Sequence, residues 1–107
     1  MTTGRQRLPN RRGSITLDLE ALGLTFTITA SRFDRGDLGE VFIQNHKMTS
    51  AAGILASDCG IAASLALQFG CPAEVLARAL SRDARGNATG PLGVALDLLS
   101  RQQKERS

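Results

Sequence analysis

Two stretches of strict apolar–polar alternation, a third β-rich run and three helical segments behind them predict an α+β fold. The expected order is βββααα: a three-stranded antiparallel β-meander followed by three helices packed on one face of the sheet. In the first stretch Ile15, Leu17 and Leu19 oppose Thr16, Asp18 and Glu20. Past Ala21-Leu22-Gly23, Leu24, Phe26, Ile28 and Ala30 oppose Thr25, Thr27, Thr29 and Ser31. Period two with β-branched residues on the wet side marks half-buried strands. The polar turn Asp34-Arg35-Gly36-Asp37 leads into a third run, Leu38 to Gln44, that contains Val41-Phe42-Ile43. Short turns between the three favour a meander with one face needing cover.

The cover is helical. Thr49 or Ser50 can cap a helix that runs to Gln68 or Phe69 and stops at Gly70. Its residues are mostly small, and Ala56, Gly60 and Ser64 fall four apart, a smooth stripe against which a backbone can come close. Ile54, Ile61 and Leu65 line an adjacent face, with Asp58 among them. A helix apolar or small nearly all round is expected to be central and buried on more than one side. Pro72 suits the first turn of a second helix, with Glu74 near its positive end and Val75, Leu76, Ala79 and Leu80 inward. The last helix starts around Gly90-Pro91 and turns Leu92, Ala95, Leu96 and Leu99 inward.

With 107 residues the chain fits one domain, expected over 13–100, between a basic flexible arm at 1–12 and a frayed polar tail at 101–107. The arm carries Arg5, Arg7, Arg11 and Arg12 without an acid, while residues 13–100 hold more acids than bases. The basic balance therefore belongs to the ends, and strong nucleic-acid binding by the domain is disfavoured. The arm can contact phosphates or be a solvated terminus. Without Trp or Tyr there is little aromatic surface for stacking bases. Met1-Thr2-Thr3-Gly4-Arg5 has no apolar core, so no secretion signal is expected. Residues 50–70 contain Asp58 and Gln68 and rely on Ala and Gly, which favours a buried helix over a membrane span and a cytoplasmic protein. The two cysteines, Cys59 and Cys71, are expected as buried free thiols, and with the single His46 they cannot form a zinc quartet or a dithiol redox pair.

Few side chains suggest chemistry. His46 beside Lys47 ends the third strand and is either a surface residue or a proton carrier. Asp58 could be a base or a carboxylate paired with an arginine or a backbone amide. The loop from Arg82 to Pro91 is the best anion candidate: Arg82 and Arg85 stand beside a turn at Gly86-Asn87 that opens a helix at Thr89. Free amides at a helix start plus two guanidiniums suit a phosphate. The alternative is a capped interhelical loop with its arginines solvated or paired with Asp83.

Three motifs in order carry a family resemblance: Arg7-Leu8-Pro9-Asn10-Arg11-Arg12, then Asp37-Leu38-Gly39-Glu40-Val41-Phe42-Ile43 with His46-Lys47, then Ser64-Leu65-Ala66-Leu67-Gln68-Phe69-Gly70-Cys71-Pro72. Over residues 7–99 the chain resembles the TSCPD domain. That domain lies near the C-terminus of adenosylcobalamin-dependent (class II) ribonucleotide reductases and also occurs as short stand-alone bacterial proteins. The resemblance singles out Glu40, His46, Lys47 and Gln68. It implies an accessory or regulatory binding module linked to ribonucleoside-diphosphate reduction, with a reductase subunit, a nucleotide or a second copy as partner. The reductase reaction needs a radical-bearing cysteine, a reducing cysteine pair, a cobalamin site and a thiol shuttle. No counterpart of these is visible, so no cofactor and no independent catalysis are expected, adenosylcobalamin belonging to the catalytic part of the reductases. The alternative is a small nucleotide or nucleic-acid binder that uses the arm and the Arg82–Thr89 loop.

Overall fold

Alternation that registers across two turns leaves one arrangement, and the chain adopts it. The structure, a computed structural model, describes residues 4–9, 13–46 and 50–106. Strands β1 (Ser14–Ala21), β2 (Leu24–Arg32) and β3 (Leu38–Asn45) form an antiparallel sheet in the order β1-β2-β3, followed by helices α1 (Ala51–Gln68), α2 (Ala73–Ala79) and α3 (Pro91–Arg106). Leu17 pairs with Ile28 and Leu19 with Phe26; Ile28 in turn faces Ile43, and Ala30 faces Val41. One face is therefore continuously apolar, and Phe26, Ile28, Val41 and Ile43 are almost wholly buried there. The other face carries the threonines, Asp18 and Glu20, and Thr27 donates to Asp18 at 2.8 Å.

The β1–β2 turn is the two-residue Leu22-Gly23, with φ of 57° and 73°. Positive φ at both positions matches the right-handed strand twist, but leucine pays a steric penalty there and is 70% exposed. Leu22→Asn should therefore stabilise the protein by about 0.5–1 kcal/mol, raising Tm by roughly 2–8 °C in a thermal melt.

The core is closed by α1 and α3. Leu92, Ala95, Leu96 and Leu99 of α3 are buried as the spacing requires, together with Ala56, Ala63 and Leu67 of α1. Ser50 caps α1 by accepting from the Gly53 amide at 3.1 Å. Thr49, the other cap candidate, lies outside the described residues.

Four expectations need correction. First, α1 is buried on one side only: Gly53, Ala56, Gly60, Ala63, Ser64, Leu67 and Gln68 face inward, while Ile54, Leu55, Ile61 and Leu65 face solvent. Second, Cys59 is exposed and Cys71 half-buried, because Cys59 falls on that outer side. Third, α2 has no fully buried residue. Ala73, Leu76, Ala77 and Leu80 lean on the core, whereas Val75 is 45% exposed and Ala79 also faces outward. Fourth, the stretch expected as a frayed tail continues α3 to Arg106. Arg32 helps to hold it, donating to the Leu99 carbonyl at 3.0 Å and to Gln103 at 3.1 Å.

Candidate functional site: the β3–α1 seam and the outer face of α1

An edge strand leaves every second N–H and C=O unpaired, and β3 is an edge strand. Val41 stands opposite Ala30 with its own N–H and C=O directed away from β2, and both are taken by one side chain. Ser64 Oγ accepts from the Val41 amide and donates to the Val41 carbonyl, each at 2.9 Å. One helical turn further on, Gln68 Nε2 donates to the Gly39 carbonyl at 3.0 Å. One turn earlier stands Gly60, where a Cβ would lie 3.0 Å from the Val41 oxygen and 3.1 Å from the Ile43 nitrogen. Four residues of helix advance about 6 Å. Two residues of strand advance about 6.7 Å. Residues 60, 64 and 68 therefore step along 43, 41 and 39 in the opposite direction. The small-residue stripe is the device that seals β3, so neither it nor this sheet edge is free for another protein.

The N-terminal arm joins this seam. The Gln6 amide donates to the Gln68 carbonyl at 2.7 Å, and Arg5 Nε to Gln68 Oε1. Leu8 methyls lie 3.0 and 3.1 Å from where a Gly39 Cβ would stand. Arg35 reaches Gln6 at 3.0 Å, pairs with Asp37 and lies 4.5 Å over the Phe33 ring. Of the arm's expected phosphate contacts, Arg5 is thus bonded within the fold and Arg7 is exposed. Arg11 and Arg12 lie outside the described residues.

The motif residues divide between the two ends of β3. Glu40, buried and opposite Ser31, is near Gln68 at the seam. His46 is exposed beyond the other end of the strand, about 20 Å away at the rise of a strand. Lys47 is outside the described residues. The structure therefore brings Glu40 and Gln68 to one end and leaves His46 apart.

The Arg82–Thr89 loop is filled by the chain itself. Arg82 binds Asp97 through two parallel hydrogen bonds of 2.9 Å and also donates to the Gly86 and Ala77 carbonyls. Asp83 Oδ1 accepts from the Arg85 and Asn87 amides, each at 2.9 Å, occupying the donors a phosphate would need. Thr89 bonds Ser81 through its amide and its hydroxyl. Only the Arg85 side chain is left exposed without a partner among those bonds, so the expected two-arginine cradle is not assembled. Arg82 has Asp97, fourteen residues beyond Asp83, as its partner. A sequence signal existed, since Asp97 falls on the α3 face next to the inward Leu96.

These bonds from Arg82, helped by the charges of Arg82 and Arg101, hold the Asp97 carboxyl below the usual range against the opposing effect of partial burial. A carboxylate depressed in the folded state stabilises it above the unfolded pKa. That contribution disappears as pH falls through the folded value. Asp97→Asn should lower Tm at neutral pH and flatten the fall in Tm below about pH 4, as melts across an acid series would measure.

A cleft of about 530 Å³ opens between the β2–β3 turn, α2 and α3, lined by Arg32, Cys71, Arg78, Arg82, Asp97 and Gln103 among others. Its Arg32 and Arg82 hold carbonyls, Gln103 and Asp97. His46, the one imidazole, is not among its lining residues. No group of three His, Cys, Asp or Glu is placed to hold a metal among the described residues.

The outer side of α1 is the other conspicuous surface. Ile54, Leu55, Ile61, Leu65 and the following Phe69 are 50%, 65%, 48%, 39% and 48% exposed. Asp58, also exposed, lies among them and is the one charged residue of the helix. By length and composition α1 could cross a membrane, with 18 residues and a mean hydropathy of 1.4, yet its inner side is bonded to β3.

The sequence is similar to a segment of much longer chains. It is 37% identical over 70 residues to a vitamin B12-dependent ribonucleotide reductase of Agrobacterium fabrum, covering 65% of this chain and 6% of that one. The corresponding enzyme of Rhodopirellula baltica is 34% identical over 77 residues, 72% of this chain and 7% of the relative. That of Streptantibioticus cattleyicolor is 36% identical over 70 residues, 65% and 12%. The chain thus spans a small fraction of the relatives it matches. No family model matches it, and no solved structure does.

Proposed function

We propose that this protein is a TSCPD-type accessory module that binds a vitamin B12-dependent ribonucleotide reductase and supports ribonucleotide reduction without catalysing it. The observation that carries this reading is the 34–37% identity to a short segment of those reductases across 65–72% of the chain. A second support is chemical inventory. Radical reduction of a ribonucleotide by the scheme above uses at least three thiols, and this chain has two, one on the outer side of α1 and one before α2. Cobalamin belongs, in this reading, to the reductase and not to this chain.

A binding module needs a rigid frame that presents a surface. The seam supplies the frame, because Ser64, Gln68 and Arg5 lock α1, β3 and the arm together. Tagged protein expressed in cells of its source should retain the B12-dependent reductase, and titration into the purified reductase should give saturable binding. Recovery of the protein alone, together with a flat titration, would remove this reading. Nucleic acid recovered with it and lost at moderate salt would favour the basic-arm alternative.

A further inference from the structure

We propose that the outer face of α1 is the docking surface, and that it takes an apolar protein face carrying one arginine or lysine opposite Asp58. The inference rests on the reading that the partner is a reductase. Ordinary surface helices bury their large apolar residues and expose polar ones; α1 buries Leu67 but leaves Ile54, Leu55, Ile61, Leu65 and the following Phe69 outside. Its inner residues at 53, 56, 60, 63 and 64 are small because its backbone must approach β3, as the 3.0 Å space at Gly60 shows. That requirement accounts for the small residues and leaves the large ones outside unexplained. At 100° per residue, Ile61, Ile54, Leu65, Asp58, Phe69 and Leu55 fall in that order within about a third of the helix circumference. Contiguous exposed apolar residues of this kind mark a surface for contact with another molecule.

Charge selects the occupant. Between Ala51 and Gln68 there is no lysine or arginine, and the single charge is negative. Helices that lie on membranes carry basic residues toward anionic headgroups, and this one would be repelled by them. A second copy packed about a two-fold axis would set Asp58 against its equivalent or against apolar side chains, since α1 offers no cation to meet it. A buried carboxylate without a partner is costly. A partner whose apolar face carries one cation turns the same carboxylate into a charge-assisted anchor and fixes the register of docking.

The test is titration of wild type, Leu55→Asp, Ile61→Asp, Asp58→Asn and Asp58→Lys into the purified B12-dependent reductase. Both the intact reductase and a form without its matching segment are tried, and the variants are compared in whichever binds wild type. All four residue changes are at exposed sites, and melting within a few degrees of wild type confirms folding. The expected result is a loss of affinity of tenfold or more for Leu55→Asp and Ile61→Asp, and a larger loss for Asp58→Lys than for Asp58→Asn. Wild-type binding with unchanged affinity in the variants would overturn this surface and leave the reductase reading standing. No wild-type binding would overturn both. A wild-type dimer in sedimentation that Leu55→Asp dissolves would assign the face to a second copy, and binding to phosphatidylcholine–phosphatidylglycerol vesicles would assign it to lipid; either overturns the proposal.

Discussion

Gly60→Val should lower stability by about 3 kcal/mol, and Gly60→Ala should also destabilise, against the usual preference of helices. At an ordinary helix position alanine gains about 1 kcal/mol over glycine, because it restricts the unfolded chain and costs nothing in the folded one. Here the added Cβ would stand 3.0 Å from the Val41 oxygen and 3.1 Å from the Ile43 nitrogen. Both are backbone atoms in the middle of a paired strand, and Val41 and Ile43 are buried, so neither can swing aside. The helix must move instead, which lengthens the Ser64 and Gln68 bonds on either side of it. At roughly 4–8 °C per kcal/mol the valine variant should melt more than 10 °C below wild type. A Gly60→Ala protein that melts higher than wild type would mean that α1 does not lie this close to β3.

The same position shows how far the sequence could be read. Strand alternation gave β1, β2 and their pairing, since slipping by one residue would put Thr27 and Asp18 in the core in place of Ile28 and Leu17. The spacing of Leu92, Ala95, Leu96 and Leu99 identified the inward face of α3. For α1 the stripe of Ala56, Gly60 and Ser64 was legible as a surface for close backbone approach, and β3 is the backbone that approaches it. Burial on a second side did not follow: a helix small or apolar nearly all round reads as central, yet Ile54, Leu55, Ile61 and Leu65 stay exposed. A finer signal was present: Gly60, Ser64 and Gln68 at four-residue spacing place a gap and two backbone-bonding side chains on one line, which suits a strand edge better than a side-chain core. In the Arg82–Thr89 loop the internal partners were not legible. Arg82 and the loop amides are real donors, but Asp97 and Asp83 satisfy them, and pairing across fifteen residues does not show in a local motif. His46 was singled out by resemblance, and its place at the far end of β3 from Glu40 follows from strand length alone.

Ser64→Ala should cost about 2–3 kcal/mol, nearly as much as Gly60→Val and with a different signature. The deletion removes a hydroxyl that both accepts from and donates to Val41. Alanine fits the space, so nothing is pushed aside, but a buried N–H and a buried C=O lose their partners together. Each such group costs about 1–3 kcal/mol when left unsatisfied. Hydrogen exchange separates this from a packing fault. In wild type the Val41 amide should be among the slowest to exchange, although it belongs to an edge strand and points away from the sheet. In Ser64→Ala it should accelerate beyond what the global loss of stability produces, while amides paired between β1 and β2 change only by that global amount. Equal acceleration across the sheet would show that Ser64 contributes packing and not the seal on β3. Selective acceleration at Val41 would show that the seam is held by polar bonds to the strand edge. That leaves Ile54, Leu55, Ile61 and Leu65 with no structural task on the inner side, which is the condition for their serving as a contact surface on the outer one.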